Sequence, residues 1–222
     1  MKETTMLIEV YSDVVCPWCF IGKRRLERAL ESAGWTSRTH VAWLPFELNP
    51  TMPKTGMDRN AYLNAKFGGV EARRAMEERV AKAGEAEGIA FAFSRIERTP
   101  NTFDAHRLIW FGQQQGKQDD LVEALFHAYF SEGRDIGSGQ TLVEVADEAG
   151  LDREAARQFL VNGQGVEEVR AEEAAGHRLG IRGVPYFVLN GRHAISGAQP
   201  PDIFVSSLEK AEVESSERKV GR

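Results

Sequence analysis

The residues of this chain that are best suited to carry out a reaction are its two cysteines, Cys16 and Cys19. They stand three positions apart, with Pro17 and Trp18 between them. Two thiols one helical turn apart are close enough to form a disulfide, and a thiolate is the attacking species in disulfide exchange. The pair therefore indicates thiol redox chemistry. A secreted disulfide scaffold would need many more than the two cysteines present.

The elements around the pair give the two cysteines different environments. Residues 7–11 predict a buried strand, and residues 17–32 predict an amphipathic helix with Pro17 in its first turn. Cys16 then lies at the N-cap, where unpaired helix N–H groups and the helix dipole favour its thiolate. Cys19 lies one turn along, on the buried side of the helix. We therefore expect Cys16 to attack a substrate and Cys19 to resolve the mixed disulfide.

Two other interpretations compete with redox chemistry. Free cysteines are often ordinary core residues, but a core pair requires neither a strand-loop-helix junction nor neighbouring cations such as Lys23, Arg24 and Arg25. Half of a zinc site is the second alternative, and it would need two further ligands. The histidines are scattered along the chain as His40, His106, His127, His177 and His193. The sequence therefore predicts no metal, and redox chemistry is favoured over both alternatives.

The order of predicted elements describes an α/β protein whose first unit is split. Residues 7–46 predict strand, helix and strand, which form a βαβ unit with parallel strands. Residues 57–179 carry amphipathic helical patterns and little that favours a strand. Residues 186–196 predict a hairpin across Asn190–Gly191, the strongest short hairpin signal, and residues 202–213 predict a last helix.

The predicted fold class is therefore α/β, a thioredoxin-like βαβ…ββα fold interrupted by a large helical insertion, because a C-x-x-C beside a βαβ unit is typical of thioredoxin-like proteins. Residues 1–56 and 180–213 form the predicted split domain, and residues 57–179 form the predicted helical insertion domain. Residues 214–222 are mostly charged and lack apolar periodicity, so we expect a flexible tail.

A proline directly before a predicted strand supplies a second candidate part of the site. A cis Val184–Pro185 bond would leave backbone groups of Val184 free to pair with an extended peptide, whereas a trans proline at the start of a strand is the ordinary alternative. Pro17 and Trp18 complete the predicted substrate-binding residues, since Trp18 should be partly exposed between the cysteines.

Three further residues are auxiliary candidates, each with a structural alternative. Asp13, three residues before Cys16, is a candidate proton acceptor, although Asp after a strand is also ordinary turn chemistry. His106 lies near a predicted helix start that would cap the cleft, and a satisfied structural histidine is the competing interpretation. Arg182 would add positive charge over Cys16 if the Pro185 loop packs there.

Several separated segments together resemble the DsbA-like family of thioredoxin-fold thiol-disulfide oxidoreductases, in its FrnE-type branch. These segments are residues 12–22 (SDVVCPWCFIG), 46–50 (FELNP), 101–108 (NTFDAHRL), 183–188 (GVPYFV) and 196–200 (SGAQP). The resemblance spans nearly the whole chain. It implies a thioredoxin domain interrupted by a helical insertion, a nucleophilic Cys16, a resolving Cys19 and a cis Pro185 facing them.

The resemblance leaves alternatives to thiol-disulfide exchange open. The same family group includes kappa-class glutathione transferases and 2-hydroxychromene-2-carboxylate isomerases, which carry Ser where Cys16 stands. The presence of both cysteines favours disulfide reductase, isomerase or oxidase chemistry over a glutathione-dependent isomerase or transferase. A non-catalytic peptide-binding or chaperone module is the second alternative.

Net charge and the distribution of apolar residues limit the partners and the cellular location that we expect for this protein. The formal net charge of −5 argues against a broad basic face for nucleic acid or anionic lipid. We see no signal peptide or membrane-spanning run, so we expect a cytoplasmic protein, in which reduction or isomerisation is favoured over net oxidation. The expected partners are protein or peptide thiols and disulfides. Glutathione or a thioredoxin-type system is the expected redox partner, and no other cofactor is predicted; the oligomeric state is left open.

Overall fold

A four-stranded sheet lies at the centre of the fold. The structure, a computed structural model, describes residues 5–220, and for residues 215–220 it describes the backbone alone. The strands of this part of the chain are β1 (Met6–Ser12), β2 (Thr39–Pro45), β3 (Met57–Asp58), β4 (Arg98–Thr99), β5 (Tyr186–Leu189) and β6 (His193–Ser196). The central sheet has the order β2-β1-β5-β6, and β3 pairs with β4 in a separate small sheet.

Strand β1 leads directly into the loop that carries Cys16, and it has a neighbouring strand on each side. It pairs in parallel with β2, where Val10 is opposite Trp43, and antiparallel with β5, where Val10 is opposite Phe187. Val10 itself is fully buried. The predicted βαβ unit and the predicted hairpin are therefore confirmed, and the sheet joins them side by side.

Helices make up most of the rest of the chain. They are α1 (Pro17–Ser32), α2 (Arg59–Phe67), α3 (Val70–Glu85), α4 (Phe103–Gln114), α5 (Gln118–His127), α6 (Gly139–Glu148), α7 (Arg153–Val161), α8 (Val166–Arg178) and α9 (Pro201–Val220). Helices α2 to α8 lie between β2 and β5 in the chain, where the sequence predicts the helical insertion. Among the described residues, no helix is both long enough and apolar enough to cross a membrane.

Aromatic side chains join the sheet side of the molecule to the inserted helices. Phe20 of α1 stacks on Phe126 of α5 with ring centroids 5.0 Å apart, and Trp43 of β2 meets Phe126 edge-on at 6.4 Å. Such pairs add to the free energy gained by burying their large apolar surfaces. A single buried cluster therefore contains residues of both parts. The predicted domain boundaries stay a prediction.

Helix α1 approaches Pro185, directly before β5, so closely at Gly22 that a side chain there would collide with it. A Cβ atom at Gly22 would lie 3.0 Å from Pro185 Cγ and 3.1 Å from Phe187 Cζ. The absence of a side chain at Gly22 therefore sets the distance between α1 and the start of β5. This spacing brings the N-terminal end of α1 against the Val184–Pro185 segment.

Two details of the fold differ from the sequence interpretation. The short strands β3 and β4 lie inside the region predicted to be helical, since strands of this length carry no periodic signal. The last helix runs from Pro201 to Val220, past its predicted end at Val213. Its extension is rich in Glu, Lys and Arg, which favour helix without apolar periodicity. The predicted flexibility of residues 214–222 stays a prediction, and residues 221–222 lie outside the described residues.

Replacing Gly22 by valine is expected to destabilise the fold. The added atoms would collide with Pro185 and Phe187, and overpacking of this kind costs about 1–3 kcal/mol. Urea denaturation should show this loss in the free energy of unfolding. Gly139→Val is the matched control, because a Cβ at this exposed glycine meets nothing within 4 Å. Equal stability changes in the two variants would contradict the interpretation of Gly22.

Candidate active site

Cys16 occupies the N-cap of α1, as the sequence predicts. Its backbone is extended, with φ −93° and ψ 109°, and its carbonyl accepts a hydrogen bond from the Cys19 amide at 3.0 Å. Pro17 takes the first helical position, where an N–H group would have no acceptor within the helix, so the missing N–H of proline costs no hydrogen bond. Only 5% of Cys16 is exposed, and that small part of its surface faces a cavity. The thiol thus combines a helix N-terminus with restricted access.

Cys19 lies behind Cys16 and is fully buried. Both residues are free thiols, so the structure represents the reduced pair. Burial raises the pKa of the Cys19 thiol well above its usual value, and the hydrogen bond and charge of Cys16 raise it further. The Ser12 hydroxyl and the Asp13 amide act in the opposite direction and are outweighed. Cys19 therefore holds its proton strongly while Cys16 is reduced.

The Val184–Pro185 peptide bond is cis and faces the cysteine pair. The Cys16 thiol donates a hydrogen bond from Sγ to the Val184 carbonyl oxygen at 3.6 Å. The Pro185 carbonyl accepts from the Gly197 amide at 2.8 Å, which ties the segment to the residue after β6. Residues separated by most of the chain are thus in direct contact at the site.

Asp13 is buried directly beside the cysteine loop. Its Oδ2 accepts a hydrogen bond from the Leu48 amide at 2.7 Å, and its exposed fraction is 1%. Its Oδ1 lies 3.5 Å from Nε2 of His106 on α4. Burial alone would lower the pKa of His106, but the Asp13 contact, together with the charges of Glu47 and Glu173, raises that pKa above its usual value. The two auxiliary candidates Asp13 and His106 therefore lie in contact in the interior, and they form an ion pair when His106 is protonated.

Glu47 is a member of this buried group that the sequence interpretation missed as a functional residue. Burial and the charge of Glu173 raise the pKa of Glu47 to about 7. The Glu47 amide donates to Glu173 Oε1 at 2.8 Å, so α8 contributes to the same group. Asp13 follows β1 and Glu47 follows β2. Because carboxyl ends of parallel strands meet at one edge, that pattern could have brought Glu47 to attention.

A cavity of about 220 Å³ opens beside Cys16, and its lining is largely apolar. Pro17 and Trp18 contribute to its wall, and Trp18 is half-buried. The remaining walls come from the loop after β2, from α2 and α3, from the residues between α3 and α4, and from the segment after α5. The apolar residues among them are Leu48, Met52, Tyr62, Leu63, Phe67, Met76, Phe93, Tyr129 and Phe130. The cavity is large enough to hold part of a substrate next to the Cys16 sulfur.

Several predicted contributions to the site are absent from this arrangement. Arg182 is exposed and does not line the cavity. The cations expected near the cysteines are instead paired with carboxylates of other elements: Lys23 Nζ lies 3.0 Å from Asp119, Arg24 Nη1 3.0 Å from Glu123 and Arg25 Nε 2.7 Å from Glu87. Sequence proximity is misleading here because these side chains are held by carboxylates of α5 and of the segment after α3. Within the described residues, no group of three or more His, Cys, Asp or Glu side chains is arranged to hold a metal ion.

Comparison with known proteins identifies the family model that this chain matches. The model is described as a DSBA-like thioredoxin domain, and the match covers residues 7–209. It begins in β1 and ends within α9. The match therefore includes the sheet, both cysteines and the inserted helices.

Individual relatives agree with this match. The chain is similar to the probable DsbA oxidoreductase SCO1869 from Streptomyces coelicolor, with 36% identity, a TM-score of 0.88 and coverage of 94% of this chain and 91% of that one. It is 30% identical over 206 residues to the uncharacterized protein YwbO of Bacillus subtilis, covering 92% of this chain and 96% of that one. The cytosolic disulfide reductase DsbM from Pseudomonas aeruginosa, in a structure with GSH, shares the fold at 20% identity, with a TM-score of 0.66 and coverage of 92% and 98%.

Replacing Glu47 by glutamine is expected to reduce the pH dependence of stability. The pKa of Glu47 is about 7 in the fold against 4.5 ordinarily, so between these values the folded chain holds a proton that the unfolded chain has released. The free energy of unfolding must then fall as the pH rises through this window. Urea denaturation across the window should show a smaller fall for Glu47→Gln than for the wild type.

The raised pKa of His106 acts in the same direction, since stability gained from a protonated histidine is lost as the pH rises through its folded pKa. The slope should therefore shrink in Glu47→Gln without vanishing. Glu78→Gln, a change at an exposed glutamate of α3, is the control and should keep the wild-type slope. A wild-type slope in Glu47→Gln would show that Glu47 titrates normally.

Proposed function

The chain belongs to the DSBA-like thioredoxin domain family, and from this membership we propose that it is a thiol-disulfide oxidoreductase that exchanges disulfides through Cys16 and Cys19. The observation that carries the proposal is the position of Cys16 at the N-terminus of α1, on the wall of a cavity, with Cys19 directly behind it. A free thiol on the wall of a cavity, with a second thiol behind it, is placed to attack a disulfide and then to be released by the second thiol.

The first step is attack of the Cys16 thiolate on a substrate disulfide. A bond forms between Cys16 Sγ and one substrate sulfur while the substrate S–S bond breaks. The other substrate sulfur leaves as a thiolate and takes up a proton. Trp18 and the cavity wall contact the substrate. Where the substrate is a peptide, the backbone of Val184 beside Pro185 would pair with its extended chain.

The second step uses Cys19 to release the substrate. The Cys19 thiol must lose its proton before its sulfur attacks Cys16 Sγ, because the thiolate is the nucleophile. The Cys16–Cys19 disulfide forms, the mixed disulfide breaks, and the second substrate sulfur leaves as a thiol. The substrate gains two electrons and the protein loses two. We propose Asp13 as the acceptor of the Cys19 proton, since its buried carboxylate adjoins the cysteine loop.

Two electrons from a thiol reductant outside the chain, either one dithiol or two molecules of a monothiol, must return the protein to its reduced form. We propose glutathione or a thioredoxin-type system for this role, in a cytoplasmic setting where such reductants are abundant. The fold shared with the cytosolic disulfide reductase DsbM, whose structure contains GSH, supports this proposal. In the reverse sequence, the oxidised protein would accept two electrons from a substrate dithiol and leave it as a disulfide.

Substitution of each cysteine is expected to separate the two steps. Cys16→Ser should lose disulfide reductase activity by at least about a thousandfold, because the attacking sulfur is gone. Cys19→Ser should form the mixed disulfide and fail to resolve it. Mass spectrometry should then detect substrate bound to Cys16 and released by dithiothreitol.

The double variant Cys16→Ser, Cys19→Ser is the control and should capture no substrate covalently. Full turnover by Cys19→Ser together with saturable glutathione binding would instead favour a glutathione-dependent isomerase or transferase. Partner capture that survives in the double variant would favour a binding or chaperone module. Reductase activity retained by Cys16→Ser would overturn the proposal.

Asp13→Asn is expected to slow the second step and spare the first. An asparagine oxygen can still accept from the Leu48 amide, but it cannot take the proton of Cys19. Stopped-flow measurement with a disulfide substrate should show normal formation of the mixed disulfide and slower resolution, which recovers as the pH rises. Alkylation of Cys16 by iodoacetamide should proceed at the wild-type rate. Resolution at the wild-type rate near neutral pH would remove Asp13 from this role.

A further inference from the structure

Helix α2 turns one continuous face toward the cavity beside Cys16. The cavity-lining residues of this helix are Arg59, Tyr62, Leu63, Lys66 and Phe67, which follow the i, i+3, i+4, i+7, i+8 spacing of a single helical stripe. Such a stripe ordinarily packs against a core. Here it borders open space, and Phe67 remains 39% exposed. The C-terminal part of this face, at Lys66 and Phe67, is therefore left without a packing partner.

Helix α3 closes the cavity from another side with the same chemistry. Met76 and Arg79, one helical turn apart, line it together with the face of α2. Leu48 and Met52 from the loop after β2 continue the apolar wall toward Cys16. The result is a partly open space of about 220 Å³, smaller than the about 300–1,000 Å³ typical of sites for drug-sized molecules. A group about the size of one substituted ring fits this space better than a length of polypeptide.

The charges at the rim of the cavity have one sign. Lys66 and Arg79 line it and are exposed, and among the described residues neither forms an ion pair with a carboxylate. Arg59, deeper in the cavity, is paired with Glu77. The one lining carboxylate, Asp13, is buried beside His106. A chain with a net charge of −5 thus presents two uncompensated cations beside its reactive sulfur.

We propose that this cavity recognises a small organic disulfide whose group next to sulfur is apolar, preferably aromatic, and carries a carboxylate or another anion. The inference rests on the proposed function and adds the substrate class. The ring occupies the space between α2 and α3, the anion pairs with Lys66 and Arg79, and the disulfide meets Cys16. The Cys16 thiolate bonds to the near sulfur, and the far half leaves as a thiolate that carries the electron pair of the broken S–S bond.

The test measures how fast the reduced protein reacts with disulfides of different charge and size. The probes are 5,5′-dithiobis(2-nitrobenzoate), which is aromatic and anionic, 4,4′-dithiodipyridine, which is aromatic and neutral, cystamine, which is cationic, and bis(2-hydroxyethyl) disulfide, which is small and neutral. Each second-order rate constant is expressed as the ratio of variant to wild type. This ratio cancels the different intrinsic reactivities of the probes.

The first variant reverses the rim charges with Lys66→Glu and Arg79→Glu. We expect the rate with the anionic probe to fall at least about tenfold and the rate with cystamine to rise, because four units of charge change close to the bound probe. The rate with the neutral aromatic probe should change less than about twofold. Arg74→Glu with Lys82→Glu is the matched control. It makes the same change in net charge at exposed positions of α3 that do not line the cavity.

The second variant, Leu63→Trp, fills the space with an indole ring. It should slow both aromatic probes several-fold and leave bis(2-hydroxyethyl) disulfide unaffected, because the small probe does not need the cavity. Equal losses for the rim variant and its control, or equal slowing of all probes by Leu63→Trp, would overturn the inference while the proposed function stands. Failure of every probe to oxidise the pair would overturn the proposed function itself.

Discussion

The close approach of α1 to the Val184–Pro185 segment is the contact on which the site depends. Gly22 permits it, because a Cβ there would lie 3.0 Å from Pro185 Cγ. The same approach places Cys16 Sγ 3.6 Å from the Val184 carbonyl. The partners lie far apart in the chain, so the sheet has to bring them together, and it does so by pairing β5 directly with β1. The inserted helices leave this pairing intact.

The inserted helices also complete the chemistry of the site. Asp13 and Glu47 emerge from the carboxyl ends of two parallel strands, where two buried carboxylates would repel each other. His106 on α4 is a positive partner for them when it is protonated, and the charges of these acids raise its pKa. Helices α2 and α3 form part of the wall of the cavity that Cys16 and Asp13 also line. The insertion thus contributes a buried partner for Asp13 and part of the cavity wall beside Cys16.

Local patterns in the sequence were sufficient to predict the βαβ unit, the hairpin and the N-cap position of Cys16, because each depends on residues adjacent in the chain. The role of Glu47 could not be predicted in this way, since it arises from burial against α8, a long-range contact. The expectation that cations lie beside the cysteines was wrong for the same reason, because long-range contacts decide where those side chains lie. Lys23 follows Cys19 closely in sequence, but it pairs with Asp119 of α5, and only the tertiary fold determines that partner. The FrnE-type branch and the domain boundaries stay predictions.

The burial of both sulfurs imposes an order on any catalytic cycle. Cys19 has no exposed surface, Cys16 has 5%, and the chain has no further cysteine through which electrons could pass. An oxidising molecule and a reducing molecule must therefore reach the same sulfur through the same opening and cannot occupy it together. Under the proposed function, turnover would then take the form of a double displacement, in which one product departs before the other reactant binds. Each reactant could also bind, without reacting, to the form of the protein on which the other reactant acts, and it would then inhibit that reaction.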